Sequence, residues 1–207
     1  MVRGLFRLLF RVKVVGLSNI PGTPVVICAN HLGWADPFLV LLFFPVEPRI
    51  YVLGLDPTAV SGFRTRVVSA LEVMVALDRD KPLKALRTSE DVLKRGGSLL
   101  VFPEGGTLGA KEGTLLELQH GAAHLSQVSG VPILPVGITG TKELWLRRTL
   151  TVRIGKPIQP TGFEGDMRSR VHSMTAYLSR AIRALLPGDR EHPRFKPLKR
   201  WLTKLFF

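Results

Sequence analysis

The sequence predicts an α/β fold: a mostly parallel central sheet flanked by helices, with amphipathic helical segments at both ends of the chain. Two observations carry this expectation. From Thr23 onward, short β-branched runs alternate with helical patterns, the order that a parallel sheet joined by crossovers requires. The chain of 207 residues is also 45% hydrophobic and 22% charged, enough for one substantial core. No internal repeat, low-complexity tract or long linker divides it, so one domain over residues 1–207 is expected.

Taken in order, the strands are "PVVICA", "RIYVLG", "EVMVAL", "SLLVF", "PILPVGI" and "LTVRIG", each rich in β-branched residues and bounded by turn formers. Between them, helical spacing is read over 37–44, 63–70, 82–95 and 114–129. A longer helix over 166–186 carries Val171, Met174, Leu178, Ile182 and Leu185 on one face and is closed by "PG".

The ends differ from this body in charge. The formal net charge is +13, and nine of those charges sit in two acid-free segments. Residues 1–13 hold Arg3, Arg7, Arg11 and Lys13, and residues 193–207 hold Arg194, Lys196, Lys199, Arg200 and Lys204. Both segments are also apolar, which a solvated nucleic-acid arm has no reason to be, and no nucleic-acid partner is expected. In "MVRGLFRLLFR" the arginines recur every four residues among leucines and phenylalanines. In "LKRWLTKL", Leu198, Trp201, Leu202 and Leu205 fall at i, i+3, i+4 and i+7. Residues 1–15 and 194–207 therefore read as membrane-interface segments, apolar side in the lipid and cations toward anionic headgroups. Packing of both ends onto the protein's own core would give the same pattern. The longest apolar run, 38–46, is far short of the roughly 20 residues that span a bilayer. Arginines interrupt the first segment and no small-residue cleavage site follows, so it reads as part of the mature chain rather than a signal peptide.

Three polar residues follow strand ends: His31 after the first, Arg79 after "EVMVALD" and Glu104 after "SLLVFP". Ligands of open α/β sheets bind outside the carboxyl ends of the strands, so a base, a cation and an acid can converge there. His31 and Asp36 are five residues apart, about 140° on a continuous helix, so they meet only if the chain turns between them. Gly33 offers freedom for that turn, and "DP" is a good helix start, with Asp36 as cap and Pro37 in the first helical position. Asp36 is then either a helix cap alone or the partner of a catalytic imidazole, holding one tautomer and stabilising the imidazolium. The pattern G-x-S-x-G is absent, and Cys28 in "VVICAN" reads as a buried core residue. The nucleophile in the dyad reading is the substrate's own hydroxyl.

"NHLGWADPF" resembles the H-x4-D motif of the glycerolipid acyltransferase family, which includes bacterial 1-acyl-glycerol-3-phosphate acyltransferases. "ALDRD", "GGSLLVFPEGG" and "GVPILPVGI" resemble that family's second, third and fourth blocks in order and spacing, and "VRIGKPI" a later strand. The resemblance implies transfer of a fatty acyl group from an acyl thioester, on coenzyme A (acyl-CoA) or acyl carrier protein (acyl-ACP), to a lysophospholipid such as 1-acyl-glycerol-3-phosphate. It implies His31 as general base with Asp36, Arg79 on an acceptor phosphate, and Glu104 with Gly105 holding the acceptor. No metal or other cofactor is implied. Also implied are a membrane lipid acceptor, a monotopic or peripheral membrane location, and an active site on the cytoplasmic side. Two departures bear on the acceptor. Where the family continues F-P-E-G-T-R-S, this chain reads "FPEGGTLG", with Thr107 in the arginine's place, and a family lysine is replaced by His120 in "QHGA". A glycolipid acceptor, or a non-catalytic lipid-binding module, is the alternative.

Other signals are weaker. "HGAAH" puts His120 and His124 at i and i+4, a zinc-compatible spacing that lacks the glutamate of H-E-x-x-H. "PEGGTLGAKEG" does not match a nucleotide-binding loop and reads as a substrate-contacting loop. Trp34 either lines an acyl entrance or plugs the core. Trp145, beside Arg147 and Arg148, lies at a headgroup surface or in a solvated loop.

Overall fold

The structure is a computed structural model that describes residues 2–55, 74–77, 82–186 and 195–204. Among them, seven strands form one sheet in the order β1-β7-β6-β2-β5-β3-β4. The strands are β1 (Arg11–Val15), β2 (Val26–Ala29), β3 (Ile50–Leu55), β4 (Met74–Leu77), β5 (Ser98–Val101), β6 (Ile133–Thr139) and β7 (Thr149–Ile154). Their helices are α1 (Val2–Leu9), α2 (Ala35–Phe43), α3 (Pro82–Lys94), α4 (Gly121–Ser129), α5 (Met167–Ala184) and the short α6 (Lys199–Thr203).

Strand β2 shows why the sheet is buried on both faces. All four of its residues are buried, and they alternate: Ile27 and Ala29 pack toward α1 and α2, while Val26 and Cys28 pack toward α3, α4 and α5. A strand with two covered faces reads as an unbroken apolar run, which "VVICA" is. Helix α5 begins at an Asp166 cap that accepts the Ser169 N–H at 2.8 Å, and it buries Val171, Met174, Leu178 and Ile182. The Ser169 bond holds the Asp166 carboxyl below its usual range.

Four differences from the sequence reading have physical causes. Residues 11–15, expected to continue the N-terminal helical segment, form an edge strand parallel to β7. "RVKVV" has a period of two, with Val12 and Val14 against the core and Arg11 and Lys13 exposed. Strand β7 runs antiparallel to β6 because the connection between them is a short loop with no helix to carry a crossover. The helix expected over 114–129 starts only at Gly121, since Leu116 and Gln119 donate their N–H groups back to Glu104 and Pro103. Trp145 is buried rather than at a surface, with the Arg148 guanidinium 4.0 Å and the Lys196 ammonium 4.8 Å from its ring centre. The helix expected over 63–70 lies outside the described residues.

The two basic ends each bury one face and expose another. Helix α1 buries Phe6 and stacks Arg3 and Arg7 over Phe43, while Val2, Leu5 and Leu8 stay exposed. At the other end, Leu202 is fully buried in the core on the α1–α2 face, and Trp201 and Leu198 are exposed. Among the described residues no helix is long and apolar enough to cross a membrane.

Candidate active site at the carboxyl ends of β2 and β5

Strands β2 and β5 are neighbours, so the loops leaving their carboxyl ends meet. Asn30, the residue after β2, is fully buried and clasps β6: its Nδ2 donates to the Ile138 carbonyl at 2.9 Å, and its Oδ1 accepts the Ile138 N–H at 2.7 Å. The chain end that carries His31 is thereby fixed to the middle of the sheet.

His31 Nδ1 lies 2.8 Å from Asp36 Oδ2. The same oxygen accepts the Leu32 and Gly33 N–H groups at 2.6 and 2.8 Å. Asp36 is fully buried, while the His31 side chain is 23% exposed, so the imidazole alone reaches solvent. The carboxylate sits in the first turn of α2, one residue inside the helix rather than at its cap, and folds back over the preceding turn. Gly33 contributes space: a Cβ there would press against the Thr141 carbonyl at 3.1 Å, and its backbone angle is not the left-handed one that requires glycine. The imidazole also stacks on Phe102, with ring centres 4.1 Å apart and planes 21° from parallel.

Glu104 completes the anchoring. One of its oxygens accepts the His31 N–H and the other the Leu116 N–H, both at 2.7 Å. Gly105 turns the chain with a φ of 74°, a conformation that favours glycine, and a Cβ there would overlap the Gln119 side-chain amide. The structure thus brings together His31, Asp36, Glu104 and Gly105. Arg79 lies outside the described residues. Asn30 and Phe102 were not singled out in the sequence; each flanks a motif residue, but nothing local announces a partner such as Ile138, 108 residues away.

Next to this turn, a cavity of about 520 Å³ is lined by Leu32, Gly33, Trp34, Thr107, Lys142 and Lys204, among others. Trp34 is half-buried at its wall and donates Nε1 to the Leu202 carbonyl at 3.1 Å. The C-terminal strap, 195–204, closes that side: Thr203 Oγ1 accepts the Leu144 N–H at 2.9 Å and donates to its carbonyl at 3.1 Å. Lys196 and Lys199 reach Glu143 at 2.8 and 2.9 Å, and these bonds hold its carboxyl down at about 2. Glu112 bonds the Gly140 and Lys142 N–H groups and fixes the facing loop.

Cys28 is fully buried, and burial pushes its thiol well above the usual range, so it offers no thiolate nucleophile. His120 lies at the start of α4, with Nδ1 3.0 Å from Thr175 Oγ1 and its ring beside His172. Among the described residues no three His, Cys, Asp or Glu side chains converge to hold a metal ion.

The sequence model of the family described as Acyltransferase matches residues 11–139, more than half of the chain, including His31, Asp36 and Glu104. The chain belongs to the acyltransferase family. Among its relatives, the 1-acyl-sn-glycerol-3-phosphate acyltransferase of Saccharomyces cerevisiae is 34% identical over 166 residues, 75% of this chain and 54% of the yeast protein. That of Pseudomonas aeruginosa is 33% identical over 152 residues, 70% of this chain and 57% of the other. The chain thus spans little more than half the length of these relatives. The crystal structure of the 1-acyl-sn-glycerophosphate acyltransferase from Thermotoga maritima shares the fold, with a TM-score of 0.70 at 23% identity, covering 89% of this chain and 75% of that one. In this acyltransferase-family chain, the match stops at Thr139, so the Thr141–Lys142 loop and the C-terminal strap lie beyond it.

Proposed function

We propose that the protein transfers a fatty acyl group from an acyl thioester, on coenzyme A or acyl carrier protein, to the hydroxyl of a lysophospholipid such as 1-acyl-glycerol-3-phosphate. The observation that carries this reading is the His31–Asp36 pair, one imidazole nitrogen held at 2.8 Å by a buried carboxylate and the ring partly exposed to solvent. With Nδ1–H donated to Asp36, Nε2 is the basic nitrogen. It takes the proton of the acceptor hydroxyl as that oxygen attacks the thioester carbonyl, and Asp36 stabilises the imidazolium. Collapse of the tetrahedral adduct breaks the C–S bond, and the leaving thiolate receives the proton from Nε2. The products are an ester and a free thiol, with no acyl-enzyme; the inert Cys28 supports this direct route.

Glu104 serves this chemistry by position, since both of its oxygens are engaged by backbone N–H groups. With Gly105 it shapes the loop that faces the acceptor, and Arg79 is assigned to the acceptor's anion. The exposed Val2, Leu5 and Leu8 of α1, with arginines on the same helix, support a monotopic or peripheral seat on a membrane; the site is assigned to its cytoplasmic side.

The test is release of free thiol from an acyl thioester in the presence of 1-acyl-glycerol-3-phosphate, with the product identified by lipid mass spectrometry. His31→Ala should lower the rate by about 10²–10⁴ while leaving fold and liposome binding intact. Substantial residual transfer in that variant would sink the mechanism, and no thiol release from the parent protein over a panel of acceptors would favour a lipid-binding module.

A further inference from the structure

The cavity beside the His31 turn is cationic and hydroxylic. Its volume, about 520 Å³, is in the range of roughly 300–1,000 Å³ common for small-ligand sites. Lys142 and Lys204 line it, with Thr107 and Thr141, and among the described residues no carboxylate side chain does. The strap's other lysines, Lys196 and Lys199, are both spent on Glu143. Among the described residues, Lys142 and Lys204 pair with no carboxylate. Thr141 is 2% exposed and its hydroxyl bonds no described residue. A buried unpaired hydroxyl costs roughly 1–3 kcal/mol, a cost that an entering hydrogen-bonding group relieves.

The backbone holds these groups in place. Glu112 pins the amide of Lys142, and the Thr203–Leu144 clasp with the Trp34–Leu202 bond sets where Lys204 begins. Two cations and two hydroxyls are the complement of a phosphate monoester, which carries about −1.5 to −2 charges and three acceptor oxygens. Leu32 and Gly33, whose amides grip Asp36, form the adjoining wall, so a group bound here is next to the reacting hydroxyl.

We infer that this cavity receives the phosphate monoester of the acceptor's headgroup, held by Lys142 and Lys204 with the Thr141 and Thr107 hydroxyls. The inference rests on the proposed function for the identity of the ligand, and it adds to the assignment of Arg79 to the same anion rather than replacing it. It also answers the departure at Thr107. The cations come from the loop after β6 and from the C-terminal strap, both beyond the family match, rather than from the position where the family's pattern has arginine.

The experiment has a binding arm that needs no acyl transfer. Full-length protein is labelled with a lysine-acylating reagent, and Lys142 and Lys204 are read by peptide mass spectrometry with Lys84 as the exposed control. Glycerol 3-phosphate, glycerol, inorganic phosphate and coenzyme A are the probes. Glycerol 3-phosphate should protect both lysines several-fold while glycerol does not, and its affinity should fall about tenfold or more in Lys142→Gln/Lys204→Gln but not in Lys84→Gln. With an acyl thioester present, the same double variant should raise KM for 1-acyl-glycerol-3-phosphate by a similar factor. Unchanged labelling, equal affinity in the double variant, protection by coenzyme A alone, or inorganic phosphate matching glycerol 3-phosphate would each overturn the assignment. Protection without any acyl transfer would leave the phosphate cavity standing and overturn the proposed reaction instead.

Discussion

The turn that carries His31 and the C-terminal strap border the same cavity, yet they are held by different physics. In the turn, two carboxylates, those of Asp36 and Glu104, receive four backbone N–H groups between them, and Asp36 is completely buried. The strap has one buried anchor, Leu202, two side-chain hydrogen bonds to the facing loop, and ion pairs at Glu143, whose side chain is 44% exposed. Charge-assisted bonds out of water are rigid and costly to break, whereas exposed ion pairs are nearly free. The proposed base therefore sits on the rigid side, and the segment proposed to meet the acceptor's headgroup on the yielding one.

Breaking the turn should give the largest effect. Asp36→Ala leaves the Leu32 and Gly33 N–H groups without their acceptor, each at a cost of roughly 1–3 kcal/mol, and frees the imidazole. Transfer should fall by about 10²–10⁴ together with Tm. Asp36→Asn keeps the shape and can still accept at one oxygen, so the rate should fall by a comparable factor with a smaller loss of Tm, because the amide cannot stabilise an imidazolium. Equal rates in Asp36→Asn and the parent protein would remove the pair from the mechanism. Glu104→Gln has one acceptor oxygen for two N–H groups. About 1–3 kcal/mol of stability should be lost, and His31, displaced, should turn over roughly 10–100-fold more slowly. Thermal denaturation and steady-state kinetics on the same preparations separate these effects.

The same contrast explains what the sequence could reveal. His31, Asp36 and Glu104 were legible because strand ends are legible, and the rule that ligands gather at the carboxyl ends of strands places them on one edge. For Asp36 the sequence left a helix cap and a partner for His31 both open, because a cap and a first-turn carboxylate folding back on its own loop share the signature "DP". The basic ends were not legible in the same way. "LFRLLFR" and "LKRWLTK" have the same apolar and basic pattern, and each splits it: Phe6 and Phe10 at one end and Leu202 at the other enter the core, while Leu5 and Leu8, and Leu198 and Trp201, stay outside. An amphipathic stripe records that one face is apolar, and only the tertiary structure decides whether lipid or protein covers it. The edge strand β1 was lost inside the same basic pattern, although "RVKVV" alternates clearly once separated from α1.

On the strap, Leu202→Ala should have an intermediate effect. Truncating a fully buried leucine costs about 2–5 kcal/mol in a packed core, but the strap is short and terminal, so it should detach locally before the whole molecule unfolds. Limited proteolysis should cut within 195–204 much faster in the variant, with little change in the main thermal transition. A cooperative drop of the entire transition, with the strap cleaved no faster, would mean that the strap is as integral as the turn.

The smallest expected effect belongs to Glu143. Its carboxyl ionises at about 2 in the folded protein, against an ordinary value of 4.5, because Lys196 and Lys199 bond it. A folded pKa below the unfolded one means that the stabilisation is complete above about pH 4.5 and fades as pH falls toward 2. Since the side chain is 44% exposed, screening should limit the benefit to roughly 0–1 kcal/mol, and added salt should erode it. Glu143→Gln should therefore loosen the strap slightly at neutral pH, seen as faster cleavage within 195–204, and should flatten the acid-induced rise in that cleavage between pH 4.5 and 2. At neutral pH, His31, tied to Asp36 inside the turn, should keep its stacking on Phe102 in the variant. Loosening of the His31 turn in Glu143→Gln would mean that the two walls of the cavity are mechanically coupled, and that the strap helps to aim the base as well as to receive the acceptor.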